Sequence, residues 1–126
     1  MIYYGKQSVN EADIAAVEAV LRSDFLTQGP AIEQFERCVA DYCGAEYAVA
    51  VCNATAALHI ACRAAGLGAG DVLWTSPITF VASANCGRYC GADVDFVDID
   101  ERTYNMSAGA LEEKLRREKV ENRLPK

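Results

Sequence analysis

The sequence has no apolar run approaching the roughly 18 residues of a membrane span. Its start, Met1-Ile2-Tyr3-Tyr4-Gly5-Lys6, has no long apolar stretch of a secretory signal. No membrane association is therefore expected, and the cytoplasm is the expected location. Positive charge is not in excess: 12 Lys and Arg stand against 18 Asp and Glu, for a formal net charge of −6. A chain of that sign is a poor partner for nucleic acid or anionic membranes. Six cysteines occur, Cys38, Cys43, Cys52, Cys62, Cys86 and Cys90, but no CxxC pair. Structural zinc usually wants such a tight knuckle, so no metal is expected. Disulfide staples are unnecessary in a chain that is 52% apolar, and the cysteines are expected to be small buried side chains. There is also no Gly-Lys-Ser/Thr phosphate loop, no internal repeat and no linker. What is present, 126 residues with 24% charged, fits one α/β globular unit with enough chain to bury a core.

The periodicity gives the order of elements. Ser8-Val9-Asn10-Glu11 has the form of a capping box, and Ile14, Val17, Val20 and Leu21 recur at helical spacing, predicting a helix over about 9–22. Pro30 suits the first turn of a second helix, which ends near Cys43 with Gly44 as its stop. Tyr47-Ala48-Val49-Ala50-Val51-Cys52 is apolar on both faces and predicts a buried strand. A small-residue helix over about 55–65 follows, then a glycine-rich turn over 66–71. That turn follows a helix and precedes a strand, the reverse of a dinucleotide-binding loop. Strands at 72–75 and 94–98 bracket a helix over about 80–89. Ser107 caps a last helix containing Leu111 and Leu115, with 116–126 as a charged tail. The layout is an N-terminal helical segment, 1–45, and a β-α-β-α-β-α run, 46–126. It predicts a three-layer α/β fold with a mainly parallel sheet. Three strands are few for that architecture and the chain ends where another strand is due, so the sheet is expected to be incomplete.

Chemistry concentrates at Asn53-Ala54-Thr55-Ala56-Ala57, between the first predicted strand and its helix. A helix start offers unpaired N–H groups and a partial positive charge, suited to a phosphate dianion. Small residues let the backbone come close, and the Thr55 hydroxyl adds a donor. A helix cap at Asn53 or Thr55 accounts for the same residues with no ligand. Phe80 falls at the same edge of the sheet, where it either stacks on a flat cofactor or packs in the core. His59, the only histidine, reads as packed or hydrogen-bonded rather than catalytic.

Four segments together resemble the DegT/DnrJ/StrS-type sugar aminotransferases, fold-type I pyridoxal-phosphate enzymes. They are Asp24-Phe25-Leu26-Thr27-Gln28-Gly29-Pro30, Ala54-Thr55-Ala56-Ala57-Leu58-His59, Thr75-Ser76-Pro77-Ile78-Thr79-Phe80-Val81-Ala82-Ser83-Ala84-Asn85, and Gly91-Ala92-Asp93-Val94-Asp95-Phe96-Val97-Asp98-Ile99-Asp100. The start Ile2-Tyr3-Tyr4-Gly5-Lys6-Gln7 and Ser76-Pro77-Ile78-Thr79-Phe80 resemble the subgroup that aminates a UDP-linked 4-keto-6-deoxy amino sugar for pseudaminic acid synthesis. The resemblance implies the N-terminal portion of the cofactor-binding large domain, with pyridoxal 5'-phosphate as cofactor, a UDP-sugar and glutamate as substrates, and a homodimer. It implies that Ala54, Thr55 and Ala56 hold the cofactor phosphate and that Phe80 stacks on the pyridine ring. Tyr4, Asp24, Phe25, Leu26, Thr27 and Ala54 would line the sugar-nucleotide site. Asn53 and Ala56 stand where related enzymes often have serine, which removes hydroxyl donors from the cradle. The family's Schiff-base lysine and the aspartate that pairs with the pyridinium nitrogen both lie beyond the matched region. Of Lys6, Lys114, Lys119 and Lys126, none matches the lysine motif, and the last three are expected on a solvated helix face or tail. Asp98 and Asp100 read as turn residues. A dehydratase of the same family, with histidine in place of lysine, and a non-catalytic phosphate-binding module are the competing readings.

Overall fold

The computed structural model describes residues 5–121 and residue 124. They form seven elements: α1 (Glu11–Leu21), α2 (Pro30–Cys43), α3 (Ala54–Ala64), β1 (Val72–Thr75), α4 (Ala82–Tyr89), β2 (Asp93–Phe96) and α5 (Ala108–Val120). The chain divides into two compact units, Met1–Ala50 and Val51–Lys126.

In the first unit, α1 is closed by a reciprocal box two residues later than the sequence suggested. The Asn10 side chain accepts from the Ala12 and Asp13 amides, and the Asp13 carboxylate accepts from the Asn10 amide at 2.9 Å. Asn10 and Asp13 thus take the roles that the sequence offered to Ser8 and Glu11. For α2, Pro30 stands at the first turn and Gly44 ends the helix at φ +63°, as expected. Its left-handed backbone returns two amide bonds to the last turn.

The predicted strand at 47–52 does not form. Its exposure does alternate: Tyr47 and Val49 are 78% and 77% exposed, while Ala48 and Ala50 are half-buried. A strand requires a ladder, however, and the Ala50 N–H goes instead to the Glu36 carboxylate of α2 at 2.7 Å.

The second unit is a small three-layer α/β arrangement, as the sequence predicted. Strands β1 and β2 pair in parallel, with Leu73 opposite Val94 and Trp74 opposite Asp95. Neighbouring residues of a strand face opposite ways, so these two pairs define the two faces. On the Leu73–Val94 face lies α4, and α3 packs on α4. The approach is close enough that a Cβ at Gly87 would come within 2.9 Å of Leu73 Cδ2, 3.0 Å of Leu73 Cβ and 3.3 Å of Val94 Cγ2. On the Trp74–Asp95 face lies α5, held through Lys114. The fully buried residues Ala92 and Val97 flank β2, and Leu67, Cys90 and Ala92 form the central cluster with Cys62 and Leu73 against it. Gly66 and Gly70, at φ +79° and +89°, turn the chain from α3 into β1.

Two boundaries moved inward. α4 begins at Ala82 rather than Phe80, and β2 ends at Phe96 rather than Asp98. In the other direction, α5 runs to Val120, into the stretch expected to be a tail, with Lys114 and Glu118 both buried at successive turns.

The cysteines also depart from expectation. All six thiols are free, but only Cys86 and Cys90 are buried; Cys62 is half-buried and Cys38, Cys43 and Cys52 are exposed. Burial pushes the Cys62 thiol up from 9.0 to about 11, aided by a hydrogen bond with Cys86 and by the thiols of Cys86 and Cys90. The thiolate fraction of Cys62 at neutral pH should then be about 100-fold lower than at an unperturbed thiol. Timed iodoacetamide labelling read by mass spectrometry should modify the exposed Cys38, Cys43 and Cys52 before Cys62.

Candidate functional site

Two segments of the second unit carry the candidate chemistry, the first turn of α3 and the loop 76–81. The C-terminus of α3 leads through the glycine turn to the start of β1, and α4 descends from the end of β1 to the start of β2. The two helices pack on each other, and His59 of α3 meets Tyr89 of α4 edge-on with ring centroids 5.4 Å apart. The loop 76–81 follows the C-terminal end of β1, the usual ligand position in open α/β sheets.

At the start of α3, Asn53 is the cap. Its Oδ1 accepts from the Ala56 N–H at 2.9 Å, and its backbone carbonyl accepts from the Ala57 N–H at 3.1 Å. By helix geometry this leaves the Ala54 and Thr55 N–H groups without an intrahelical partner. Thr55 and Ala56 are half-buried and Ala54 is exposed. Asn53 caps the helix, and the two remaining donors have the helix dipole behind them.

Phe80 does not join the core. It is 71% exposed, in a loop tied down by the Ser83 N–H to the Phe80 carbonyl at 2.9 Å and by Thr79 Oγ1 to Ser83 Oγ at 3.2 Å. An exposed aromatic on an anchored loop costs apolar hydration that a flat ligand would relieve. In the same loop the Ser76 hydroxyl is buried with no hydrogen-bond partner, the one such side-chain atom among the described residues. Nothing in the sequence singled it out. An exposed ring and an orphaned hydroxyl in one loop, and open amides at the start of α3, have the chemistry that a group with a phosphate and an aromatic ring would use.

Asp24, Phe25, Leu26 and Thr27 lie in the other unit, in the exposed loop between α1 and α2. Ser23 organises that loop, accepting from the Phe25 N–H at 3.3 Å and donating to the Val20 carbonyl at 2.8 Å. A Cβ at Gly29 would meet Phe25 Cβ at 2.7 Å, so only glycine allows the loop to close onto α2. Phe25, Gln28, Gly29, Pro30, Ile32, Glu33 and Glu36 line an open hollow of about 500 Å³ beside it. Tyr4 lies outside the described residues.

Lys114 was expected on a solvated face and is instead 7% exposed. Its Nζ donates to Asp95 Oδ2 at 2.5 Å and to the Phe96 carbonyl at 2.7 Å, and sits 4.8 Å from the centroid of the Trp74 ring. The Asp95 carboxyl falls below its ordinary 3.8, first because Lys114 donates to it, then because the Phe96 N–H does; partial burial opposes the shift. A signal existed: Lys114 is four residues after Ala110 and three after Leu111, on the inward stripe of α5. With its donors engaged, Lys114 is a structural clamp. Asp98 and Asp100 are exposed, and Asp100 Oδ1 accepts from the Arg102 and Thr103 amides, as expected of a turn.

Residues 7–120 match the DegT/DnrJ/EryC1/StrS aminotransferase family. The chain belongs to that family. It is 48% identical over 84 residues to the GDP-perosamine synthase of Caulobacter vibrioides, covering 67% of this chain and 23% of the relative. Over 115 residues it is 37% identical to the UDP-4-amino-4,6-dideoxy-N-acetyl-beta-L-altrosamine transaminase of Campylobacter jejuni, covering 91% of this chain and 30% of the relative. Among solved structures, the sugar aminotransferase Spr1654 of Streptococcus pneumoniae in its PLP form superposes with a TM-score of 0.82 at 32% identity, over 89% of this chain and 29% of that one. The α/β architecture is thus part of a fold-type I aminotransferase domain, and pyridoxal 5'-phosphate is the cofactor that goes with it. The chain spans less than a third of the length of the relatives it matches.

Proposed function

We propose that this chain supplies the phosphate anchor, the ring platform and part of the sugar-nucleotide site of a pyridoxal-phosphate sugar aminotransferase. What supports the reading is the Asn53-capped first turn of α3, which offers open amides, together with the exposed ring of Phe80. In this reading the Ala54 and Thr55 amides, the Thr55 hydroxyl and Ala56 hold the phosphate, and Phe80 covers one face of the pyridine ring. Tyr4, Asp24, Phe25, Leu26, Thr27 and Ala54 would each serve sugar-nucleotide recognition in the whole enzyme, as the family resemblance implies. Bound there, the cofactor supplies an electron sink and a carrier for the amino group. The chain's own residues bind and orient it: the helix dipole offsets the phosphate charge, and Phe80 excludes water from one ring face.

The reaction of the whole enzyme would move the amino group of glutamate to the C4 carbonyl of a UDP-linked 4-keto-6-deoxy amino sugar, in a cytoplasmic homodimer, as in pseudaminic acid synthesis. The near-full coverage by the UDP-sugar transaminase relative supports that substrate. A GDP-linked 4-keto sugar is the second reading, favoured by the higher identity to the perosamine synthase over a shorter stretch.

On this account the large domain needs a lysine that the 126 residues do not supply, since Lys114 is engaged with Asp95, Phe96 and Trp74. The purified chain, given glutamate, pyridoxal phosphate and a UDP-4-keto sugar, should form no amino sugar above the enzyme-free rate. Multiple turnovers by this chain would overturn the assignment of these residues to binding alone.

A further inference from the structure

We infer that Asn53 holds the phosphate cradle closed from within: its side chain occupies an amide that the phosphate needs, and must turn away for the anion to seat. The inference rests on the reading of the α3 first turn as the phosphate site. Three amides, of Ala54, Thr55 and Ala56, point out of that turn, and the Asn53 Oδ1 already accepts from the third at 2.9 Å. An amide oxygen carries only a partial negative charge, so it is a weaker occupant of this position than a phosphate oxygen. The other end of the Asn53 amide is loosely held: Nδ2 donates to Cys52 Sγ at 3.4 Å, and a thiol is a weak acceptor. Asn53 is exposed and has an ordinary extended backbone, φ −169° and ψ 169°, so its side chain has room to turn. Ala56 has no hydroxyl to offer the anion, which leaves its N–H as the only donor it can contribute. Phosphate binding and helix capping therefore compete for one hydrogen.

The test is amide NMR on the full chain, titrated with pyridoxamine 5'-phosphate, which has no aldehyde to react with lysines. Asn53→Ala removes the competing acceptor and should tighten binding, read at the Thr55 amide, by roughly 2- to 30-fold, the range of cap strengths converted to affinity. Asn53→Gly, a tolerated cap that costs the helix little, should tighten it likewise, so the result does not depend on how well the alanine variant folds. Asn53→Asp keeps the acceptor and adds charge, and should weaken binding. If the Thr55 amide moves in the wild-type chain while the alanine and glycine variants bind equally or more weakly, Asn53 is no competitor and the inference falls with the site intact. If neither the Ala54 nor the Thr55 amide moves saturably in any variant, the site itself is wrong and the inference goes with it.

Discussion

Gly87→Val should destabilise the second unit by about 3 kcal/mol, at the upper end of the usual cost of overpacking a closed interface. The position is in mid-helix in α4, where any side chain would help the helix by up to about 1 kcal/mol. Packing reverses the sign. A Cβ there lies 3.0 Å from Leu73 Cβ, an atom fixed by the β1 backbone, and 3.3 Å from Val94 Cγ2. A β-branched side chain adds two more carbons to that space. In a unit with only two four-residue strands such a loss is a large part of the total. Gly109→Ala in α5 is the control: its Cβ would meet only Ser107 Oγ, at 3.9 Å, and should gain a fraction of a kcal/mol from helix propensity. Urea unfolding midpoints of the two variants should move in opposite directions.

Lys114→Ala should cost about 1.5–3 kcal/mol, the usual value of a hydrogen bond to a charged group, because it removes the tie between α5 and β2 and uncovers Trp74. Lys114→Met keeps the apolar stem over the indole and should cost less. Asp95 is left solvated, with its side chain 57% exposed, so no stranded buried charge adds to the loss. The pair also carries a pH signature. The folded pKa of Asp95 is depressed below 3.8, so its contribution is fully present above about pH 4 and is lost as pH falls through the folded value. Wild-type stability should therefore drop more steeply below pH 4 than that of Lys114→Met. Parallel acid limbs in the two proteins would remove the ion pair from the account.

Local rules read much of this fold from the sequence. Pro30 and Gly44 bound α2 through fixed backbone preferences, and Val72–Thr75 forms a strand between a glycine turn and Pro77. Where the outcome depended on a distant partner, the sequence fell short. The stretch 47–52 has strand composition, but its Ala50 amide is taken by Glu36, fourteen residues earlier. Lys114 has the chemistry of a surface residue, and only the arrival of Asp95, Phe96 and Trp74 beneath α5 makes its burial tolerable. At the candidate site, the helix start at Asn53–Thr55 was legible because capping is local. The exposure of Phe80 and the orphaned Ser76 hydroxyl were not, since each depends on how the 76–81 loop folds back on α4.

The central claim is that Phe80 and the first turn of α3 form one cofactor site. Intermolecular NOEs in the chain saturated with pyridoxamine 5'-phosphate test it most directly. The account predicts contacts from the pyridine-ring methyl to the Phe80 ring protons, together with movement of the Ala54 and Thr55 amides. Saturable binding with NOEs to other aromatic residues and none to Phe80 would contradict it.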